Sequence, residues 1–234
     1  MSLKIGVPSK GRLMEKTFDW FAAHGVGMRL SGAEREYSGT VDGAELVLLP
    51  ASEMPRELAA GRIHLGVTGS DLVREGLADW DQQVAELAPL GFGHADLCLA
   101  VPACWVDVET LDDLDAAAAA FRAAHGFRLR IATKYHRLVR DFLREAGVAD
   151  YQLVDSKGAT EGTVRNLTAE AIADITSTGE TLRANHLKVL ADGVIHRSQA
   201  VLFASRGAVR DDPATRPALT ALAGRLGIAL PEGV

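Results

Sequence analysis

The stretch AIADITSTGETLRA, residues 171–184, joins an apolar run to a polar turn that is rich in hydroxyl groups. The run from Ala171 to Ile175 predicts a buried β-strand, and Gly179 among Ser and Thr residues predicts a turn into a helix. Such turns let backbone N–H groups face inward and hold phosphate oxygens. The stretch therefore predicts an α/β fold in which a strand ends in a phosphate-binding turn.

Three other polar turns follow predicted strands, and their sequences are PSKGR (8–12), TGSD (68–71) and SKGATEG (156–162). Strands alternate with helices along the chain, which is typical of an α/β fold with mainly parallel sheets and right-handed crossovers. A β-hairpin is also expected at Asp42-Gly43. Because ligands of open α/β sheets bind beyond the carboxyl ends of strands, we expect the four turns to contribute to one binding region.

The composition excludes several classes of protein. The 234 residues are 47% hydrophobic and 24% charged, which is ordinary for a folded globular protein. A formal net charge of −6 argues against non-specific binding to nucleic acid or membranes. No apolar run reaches the ~18 residues of a membrane span, and the first residues do not resemble a signal peptide, so we expect a cytoplasmic protein.

Two segments, LGFGH (90–94) and the region near residues 178–186, are candidate crossings between lobes. If the chain crosses at both, residues 1–92 and 183–234 form lobe I, which contains both termini. Residues 93–182 then form lobe II, which contains the phosphate-binding turn. A central cleft between two such lobes is the expected place for a ligand.

Individual side chains in the turns suit a phosphorylated ligand. Asp174 is placed to accept from ribose hydroxyls, directly or through a metal, and Glu161 is placed to face a cation, a ribose or Mg²⁺. Lys10 and Arg12 stand at a helix N-terminus, where cations suit a polyphosphate. The alternatives are an ordinary strand-to-helix turn at 174–181, a flexible surface loop at 156–162, and a first-turn charge that complements the helix dipole at Asp71.

The helix predicted at 136–147 is strongly basic. Together with the preceding residue it carries Lys134, Arg137, Arg140 and Arg144. A solvated face balanced by Asp141 and Glu145 explains this pattern without a ligand.

Taken together, an ordered set of segments resembles the ATP phosphoribosyltransferase family over roughly residues 3–205. The most characteristic segments are LRIATKY and DITSTGETLRANHLKVL, and they are accompanied by VPSKGRLMEKTFDWFAAHG, LGVTGSDLVREG, LGFGHADLCLAVP and GATEG. The resemblance implies a two-lobed fold of the periplasmic-binding-protein type II. It also implies transfer of phosphoribosyl from 5-phosphoribosyl 1-pyrophosphate to N1 of ATP, with release of pyrophosphate, at the first step of histidine biosynthesis.

The resemblance further implies roles for particular residues. Those expected at the phosphoribosyl donor are Asp174, Thr176, Ser177, Thr178, Gly179, Glu180 and Thr181. Those expected at ATP are Gly11, Thr68, Gly69 and Asp71, with Lys10, Arg12 and Glu161 as catalytic residues. Mg²⁺ is the expected cofactor, held by the substrates rather than by a set of protein ligands.

The family has a short form, which this chain resembles and which works with a separate regulatory subunit similar to histidyl-tRNA synthetase. We expect a homodimer within a hetero-oligomer, with the partner docking on apolar positions of the terminal helix: Leu219, Leu222 and Leu226. The other interpretation is that this helix packs on its own lobe.

One departure from the family pattern concerns an arginine near position 50, where this chain has Pro50, so that Arg35 or Arg56 would have to supply the charge. Two other functions fit the same fold class. One is a non-catalytic cytoplasmic small-molecule sensor, and the other is a different phosphoribosyltransferase.

Overall fold

The computed structural model describes residues 2–30, 38–41, 44–156 and 158–234, and the side chains of Leu30 and Ser38 are not described. The chain divides into two compact units. Unit 1 comprises residues 1–93 and 199–234, and unit 2 comprises residues 94–198. Asp42-Gly43, Arg35 and Lys157 lie outside the described residues.

In the described part of unit 1, seven strands form one sheet in the order β2-β3-β4-β1-β5-β12-β6. The strands are β1 (Lys4–Pro8), β2 (Met28–Leu30), β3 (Ser38–Val41), β4 (Ala44–Leu49), β5 (Leu65–Gly69), β6 (Val84–Pro89) and β12 (Ala200–Ser205). The helices are α1 (Gly11–Ala23), α2 (Met54–Ala59), α3 (Ser70–Gly76), α4 (Trp80–Gln83), α9 (Arg206–Asp211) and α10 (Arg216–Leu226), and a 3₁₀ turn (Pro213–Thr215) precedes α10.

In the described part of unit 2, five strands form a second sheet in the order β11-β7-β10-β8-β9. The strands are β7 (Ala95–Pro102), β8 (Leu129–Thr133), β9 (Tyr151–Asp155), β10 (Ala171–Thr176) and β11 (Leu187–Ser198). The helices are α5 (Leu111–His125), α6 (His136–Glu145), α7 (Gly162–Arg165) and α8 (Glu180–Ala184). Helix α5 begins with a capping box between Thr110 and Asp113 and ends at Gly126 in the left-handed conformation.

The expectation of mainly parallel sheets is wrong, because both sheets are mixed. Strands β4, β1 and β5 are parallel neighbours, as are β10, β8 and β9. The other pairs are antiparallel, since β3 and β4 pair as an antiparallel hairpin and the long strands β11 and β12 return through the two sheets. Each sheet still contains three neighbouring parallel strands, whose carboxyl ends lie at the same edge of the sheet.

The second crossing between the units lies later in the chain than residue 182. Unit 2 continues to Ser198, because β11 pairs with β7 from Leu187 to Ser198. Residues 183–198 therefore belong with unit 2. The sequence had led us to expect them in lobe I. The first crossing, at Gly93, lies one residue beyond the expected position.

The terminal helix α10 packs on its own unit. Leu219, Leu222 and Leu226 are only 1%, 8% and 5% exposed and join the core of unit 1. Burial of each leucine contributes roughly 1.5–3 kcal/mol to stability. The expectation that these leucines form a docking surface is therefore wrong, and the helix is a structural part of unit 1.

The described helices do not include a membrane span, because none combines sufficient length with sufficient apolar character. The cytoplasmic location stays a prediction.

Candidate active site

The loops that follow β8, β9 and β10 lie at one edge of the sheet of unit 2, because these three strands are parallel. The Ser156 amide donates a hydrogen bond to the Thr133 carbonyl (3.2 Å), which joins the ends of β9 and β8. Lys134 Nζ donates to the Gly158 carbonyl (2.9 Å) across the same loops. The polar turns at 156–162 and 176–181 therefore lie at the same edge of this sheet, with β8 between the strands that they follow.

The turn from Thr176 to Thr181, here called the β10–α8 turn, is shaped by its own hydroxyl groups. Thr176 Oγ1 accepts from the Gly179 amide (2.9 Å), and Thr178 Oγ1 accepts from the Glu180 amide (3.3 Å). Ser177 Oγ donates to the His94 carbonyl (3.1 Å), which ties the turn to the start of β7. These bonds hold a compact turn at the N-terminus of α8.

The backbone conformation of Gly179 determines the shape of this turn. Its φ of +71° lies in the left-handed region, where a residue with a Cβ atom is strained. A Cβ atom at this position would also lie 3.0 Å from Arg183 Nη1. The backbone conformation therefore favours glycine here, and a Cβ atom would also displace the end of the Arg183 side chain by a few tenths of an ångström.

Arg183 is a site residue that the sequence reasoning missed. Its Nη2 donates to the Thr178 carbonyl (2.9 Å), which brings an exposed cation to the β10–α8 turn. Gly179 and Arg183 are four residues apart, a spacing that places side chains on the same side of a helix. This spacing is the signal in the sequence that identifies Arg183.

Asp174 lies on β10, is half-buried, and has one carboxylate oxygen that accepts from the Ile175 amide (2.8 Å). Its register partner on β7 is Cys98, which is buried as the sequence predicts. Burial, followed by the charge of Asp96, raises the pKa of the Cys98 thiol to about 11. The thiol therefore stays protonated at neutral pH and is not a thiolate nucleophile.

The described part of the 156–162 loop is organised by internal hydrogen bonds. Ser156 Oγ donates to Thr160 Oγ1 (2.9 Å) in a buried pair, and Thr163 Oγ1 donates to the Thr160 carbonyl (2.6 Å). Glu161 follows directly as the N-cap residue of α7 and is partly exposed. These bonds favour a folded turn over a flexible surface loop.

In unit 1, the segments after β1, β4 and β5 lie at one edge of the sheet, because these three strands are parallel. The Ser9 amide donates to the Leu49 carbonyl (2.8 Å), so the ends of β1 and β4 lie side by side. Helix α1 then begins with Lys10 in an extended conformation, without a side-chain cap and without an acidic residue in its first turn. Lys10, Gly11 and Arg12 are exposed there, and the amides of a first helical turn attract anions.

Two side chains of the TGSD turn that were expected to contact ATP are buried. Thr68 is fully buried, and its hydroxyl donates to the Ala51 carbonyl (2.8 Å). Asp71 is buried in the first turn of α3, where a negative charge complements the helix dipole. Gly69, by contrast, is partly exposed at the N-cap of α3.

Arg56 is not held near the end of β4 by any contact described. It is exposed on α2, with its Nε 3.6 Å from Glu57 Oε1. Pro50 directly follows β4, so the structure gives Arg56 an ion pair with its neighbour and no role at the binding edge.

The sequence-predicted site residues therefore fall into two groups. Those in unit 1 are Lys10, Gly11, Arg12, Thr68, Gly69 and Asp71. Those in unit 2 are Glu161, Asp174, Thr176, Ser177, Thr178, Gly179, Glu180 and Thr181.

Comparison with known proteins identifies the family to which this arrangement belongs. The family model described as "HisG: ATP phosphoribosyltransferase" matches residues 50–227. An ATP phosphoribosyltransferase of Cereibacter sphaeroides is 76% identical over 237 residues and is matched along its whole length by the whole of this chain. The chain belongs to the ATP phosphoribosyltransferase family. It matches the short form, and it catalyses the first step of histidine biosynthesis as a pentosyltransferase.

The fold comparisons agree with this assignment. The ATP phosphoribosyl transferase (HisG:HisZ) complex from Thermotoga maritima contains a chain of the same fold, with a TM-score of 0.71, 20% identity and 96% coverage of both chains. The putative periplasmic sulfonate-binding protein SsuA of Methylobacillus flagellatus gives a TM-score of 0.55 at 15% identity, over 96% of this chain and 67% of that one. The type II periplasmic-binding-protein fold is thus confirmed, and family membership decides against a non-catalytic sensor.

Proposed function

We propose that the β10–α8 turn holds the 5-phosphate and the ribose of 5-phosphoribosyl 1-pyrophosphate. Phosphate oxygens would accept hydrogen bonds from the amides of Glu180 and Thr181, which open the first turn of α8, while the Gly179 amide stays bonded to Thr176 Oγ1 and holds the turn in shape. The 3.3 Å bond between the Glu180 amide and Thr178 is the weakest in the turn and the easiest for a phosphate oxygen to replace. Arg183 would add a cation, and Asp174 would accept from the ribose hydroxyls.

The hydroxyl groups of Thr176, Ser177, Thr178 and Thr181 complete the turn in this proposal, and Glu180 contributes its amide. The carboxylate of Glu180 is exposed and lies at the helix N-terminus, where a negative charge favours the helix but repels a phosphate. We therefore assign the backbone of Glu180, and not its side chain, to the donor.

The N-terminus of α1 is our proposed site for the polyphosphate of ATP and for the leaving pyrophosphate. Lys10 and Arg12 carry the charge, and the Gly11 backbone allows close approach of a phosphate. Gly69 would contact ATP through its backbone. Because Thr68 and Asp71 are buried, they would position Gly69 and not touch ATP directly.

This arrangement suits the chemistry of the transfer. The lone pair of adenine N1 forms a bond to the anomeric carbon, while the bond from that carbon to pyrophosphate breaks and its electron pair leaves with pyrophosphate. N1 carries no proton that must be removed, so no strong general base is needed. Catalysis then comes from positioning by the β10–α8 turn and from neutralisation of the leaving group by Lys10 and Arg12.

Glu161 has a separate place in this proposal. The sugar becomes cation-like as pyrophosphate leaves, and a carboxylate at the edge shared with the β10–α8 turn would stabilise that charge. Its partial exposure leaves the carboxylate accessible to a ligand.

Mg²⁺ fits the donor groups that this site offers. The described residues contain no cluster of three or more His, Cys, Asp or Glu side chains that would cage a metal ion. Mg²⁺ usually binds through one or two carboxylates together with substrate phosphates, and Asp174 and Glu161 supply such carboxylates in unit 2. When bound, the ion would neutralise pyrophosphate oxygens.

Regulation is proposed to require a second subunit similar to histidyl-tRNA synthetase, with this chain as a homodimer within the hetero-oligomer. The Thermotoga maritima structure, which is a HisG:HisZ complex by its description, supports a separate second subunit. We expect histidine to inhibit the purified chain weakly and the reconstituted complex strongly. Equal inhibition of both at one histidine concentration would contradict the two-subunit proposal.

The left-handed Gly179 turn at the end of β10 is the observation that carries this proposal. The direct test is pyrophosphate release from ATP and 5-phosphoribosyl 1-pyrophosphate, measured with Mg²⁺ and with and without the regulatory subunit. We expect release to require both substrates and to fail when Gly179 is replaced. Unimpaired release by the Gly179 variant would refute the assignment of the turn.

A further inference from the structure

A groove in unit 2 is lined by residues that the substrate site does not use. It has a volume of about 510 Å³ and lies between α6 and the sheet-edge strand β9. Its walls include Arg128, His136, Arg140 and Arg144, and its floor includes Tyr151 and Leu153. We call this cavity the α6 groove.

The α6 groove concentrates positive charge in a chain that is acidic overall. His136, Arg140 and Arg144 follow each other at intervals of four residues, so they form a row along one face of α6. Arg128 lines the same groove. The like charges of Arg140 and Arg144 repel each other at this spacing, whereas the whole chain has a formal net charge of −6. The row is therefore not explained by an excess of basic residues.

Neighbouring carboxylates balance this charge only in part. Asp141 pairs with Arg144 (2.9 Å), and Asp155 pairs with His136 (2.6 Å). Asp150 lies 4.0 Å from Arg128, but its oxygen already accepts from Arg122 at 2.5 Å. Within the described part of the chain, Arg140 has no carboxylate within 4 Å. Arg140 and much of the charge of Arg128 are thus available to a bound anion.

The floor of the groove is aromatic and apolar. Tyr151 is half-buried, and burial raises the pKa of its hydroxyl, while the nearby charges of Arg140 and Arg144 act in the opposite direction. Tyr151 lines the same groove as both guanidinium groups. Planar guanidinium groups bind phosphate oxygens through two parallel hydrogen bonds, and an aromatic floor favours a flat organic group.

We propose that the α6 groove binds an oligophosphate ligand at a site separate from the β10–α8 turn. The ligand carries at least two negative charges, which Arg140, Arg144 and Arg128 would neutralise. This site is independent of the assignment of the substrate residues, because it shares none of them.

The test uses the complete chain labelled with 3-fluorotyrosine and fluorine NMR. The chain has three tyrosines, and the Tyr151→Phe variant assigns the Tyr151 signal. We expect pyrophosphate to shift this signal in a saturable manner, and the Arg140→Gln/Arg144→Gln double variant to weaken the apparent affinity by roughly tenfold or more. Arg137→Gln, on the same helix but outside the groove lining, is the matched control and should leave the titration unchanged.

Two further arms distinguish the possible ligands and sites. If ADP saturates the Tyr151 shift at a lower concentration than pyrophosphate does, the groove recognises a nucleotide. If both saturate it at the same concentration, the groove recognises the phosphates alone. Lys10→Gln should preserve the Tyr151 titration, which separates the groove from the proposed polyphosphate site. If the double variant is too unstable to measure, Arg140→Lys replaces it. This variant keeps the charge but not the paired hydrogen bonds, so its affinity should lie below that of the wild type.

The proposal is overturned if neither pyrophosphate nor ADP shifts the Tyr151 signal of the wild-type chain. It is also overturned if the double variant titrates like the wild type, or if only an acidic peptide such as oligoglutamate shifts the signal. The last result would identify a protein-docking surface instead of a small-molecule site.

Discussion

The β10–α8 turn and the N-terminus of α1 both follow a parallel strand, but they are built in different ways. The turn has a fixed shape, set by left-handed Gly179, by backbone amides that donate to its own Thr hydroxyl oxygens, and by a hydrogen bond from Arg183. The start of α1 has exposed Lys10 and Arg12 and no side-chain cap. If both bind anions as proposed, the β10–α8 turn would do so through its backbone geometry and the start of α1 through its charge.

The largest expected loss of affinity follows from a change in the β10–α8 turn. Gly179→Val places a β-branched residue at a φ of +71° and brings its Cβ against Arg183. We expect donor affinity to fall about 100-fold, which corresponds to roughly 2.8 kcal/mol, while the fold is kept. Isothermal titration calorimetry with 5-phosphoribosyl 1-pyrophosphate measures this loss.

Gly126→Val is the matched control for this variant. Gly126 also has a left-handed φ (+77°) in unit 2, but a Cβ there meets no atom within 4 Å. The control should lose some stability from backbone strain but keep its donor affinity. Equal affinity of both variants for the donor would mean that the β10–α8 turn does not bind it.

A smaller loss of affinity is expected from changes at the N-terminus of α1. Lys10→Ala and Arg12→Ala should each weaken binding of ATP or pyrophosphate by roughly 1–3 kcal/mol, because each removes a charge-assisted hydrogen bond. The loss should shrink as ionic strength rises, since exposed charges are screened by salt. Steady-state kinetics at two salt concentrations measure both quantities.

Lys16→Ala, an exposed cation further along α1, is the control for the charged site. It should retain wild-type kinetics at both salt concentrations. If the Lys10 and Arg12 variants also behave like the wild type, these residues are surface charges without a role in binding.

The smallest effect concerns a single hydrogen bond in the turn. Thr176→Val keeps the shape of the side chain but removes the oxygen that accepts from the Gly179 amide. We expect donor affinity to fall about fivefold, since such a bond contributes roughly 1 kcal/mol. Thr168→Val, which removes an exposed hydroxyl that donates to the Thr163 carbonyl, should not change the calorimetric result.

Local patterns in the sequence predicted the parts of the fold that depend on local chemistry. Gly179 and its hydroxyl-bearing neighbours predicted the turn, and the basic helix predicted at 136–147 is found as α6 (His136–Glu145). The direction of the strands was not predicted, because it depends on pairing partners that are distant in the sequence. The second crossing between the units was placed too early for the same reason, because β11 pairs with β7 as far as Ser198.

Burial explains most of the remaining differences at the candidate site. Thr68 and Asp71 have residue types that suit a ligand, but only the structure shows that both are buried. Leu219, Leu222 and Leu226 have the spacing of an apolar helix face, and spacing alone does not say which surface covers that face. Arg183 was missed because its role depends on the shape of the turn that it contacts.

The most direct test of the division between the two sites is a pair of amide NMR titrations on the complete chain. Ribose 5-phosphate carries the donor's 5-phosphate without its pyrophosphate, so we predict that it shifts the amides of Gly179, Glu180 and Thr181 and leaves those of Lys10, Gly11 and Arg12 unchanged. Pyrophosphate should shift the amides at the start of α1. If ribose 5-phosphate shifts the α1 amides and leaves Gly179 unaffected, the account of the β10–α8 turn is contradicted.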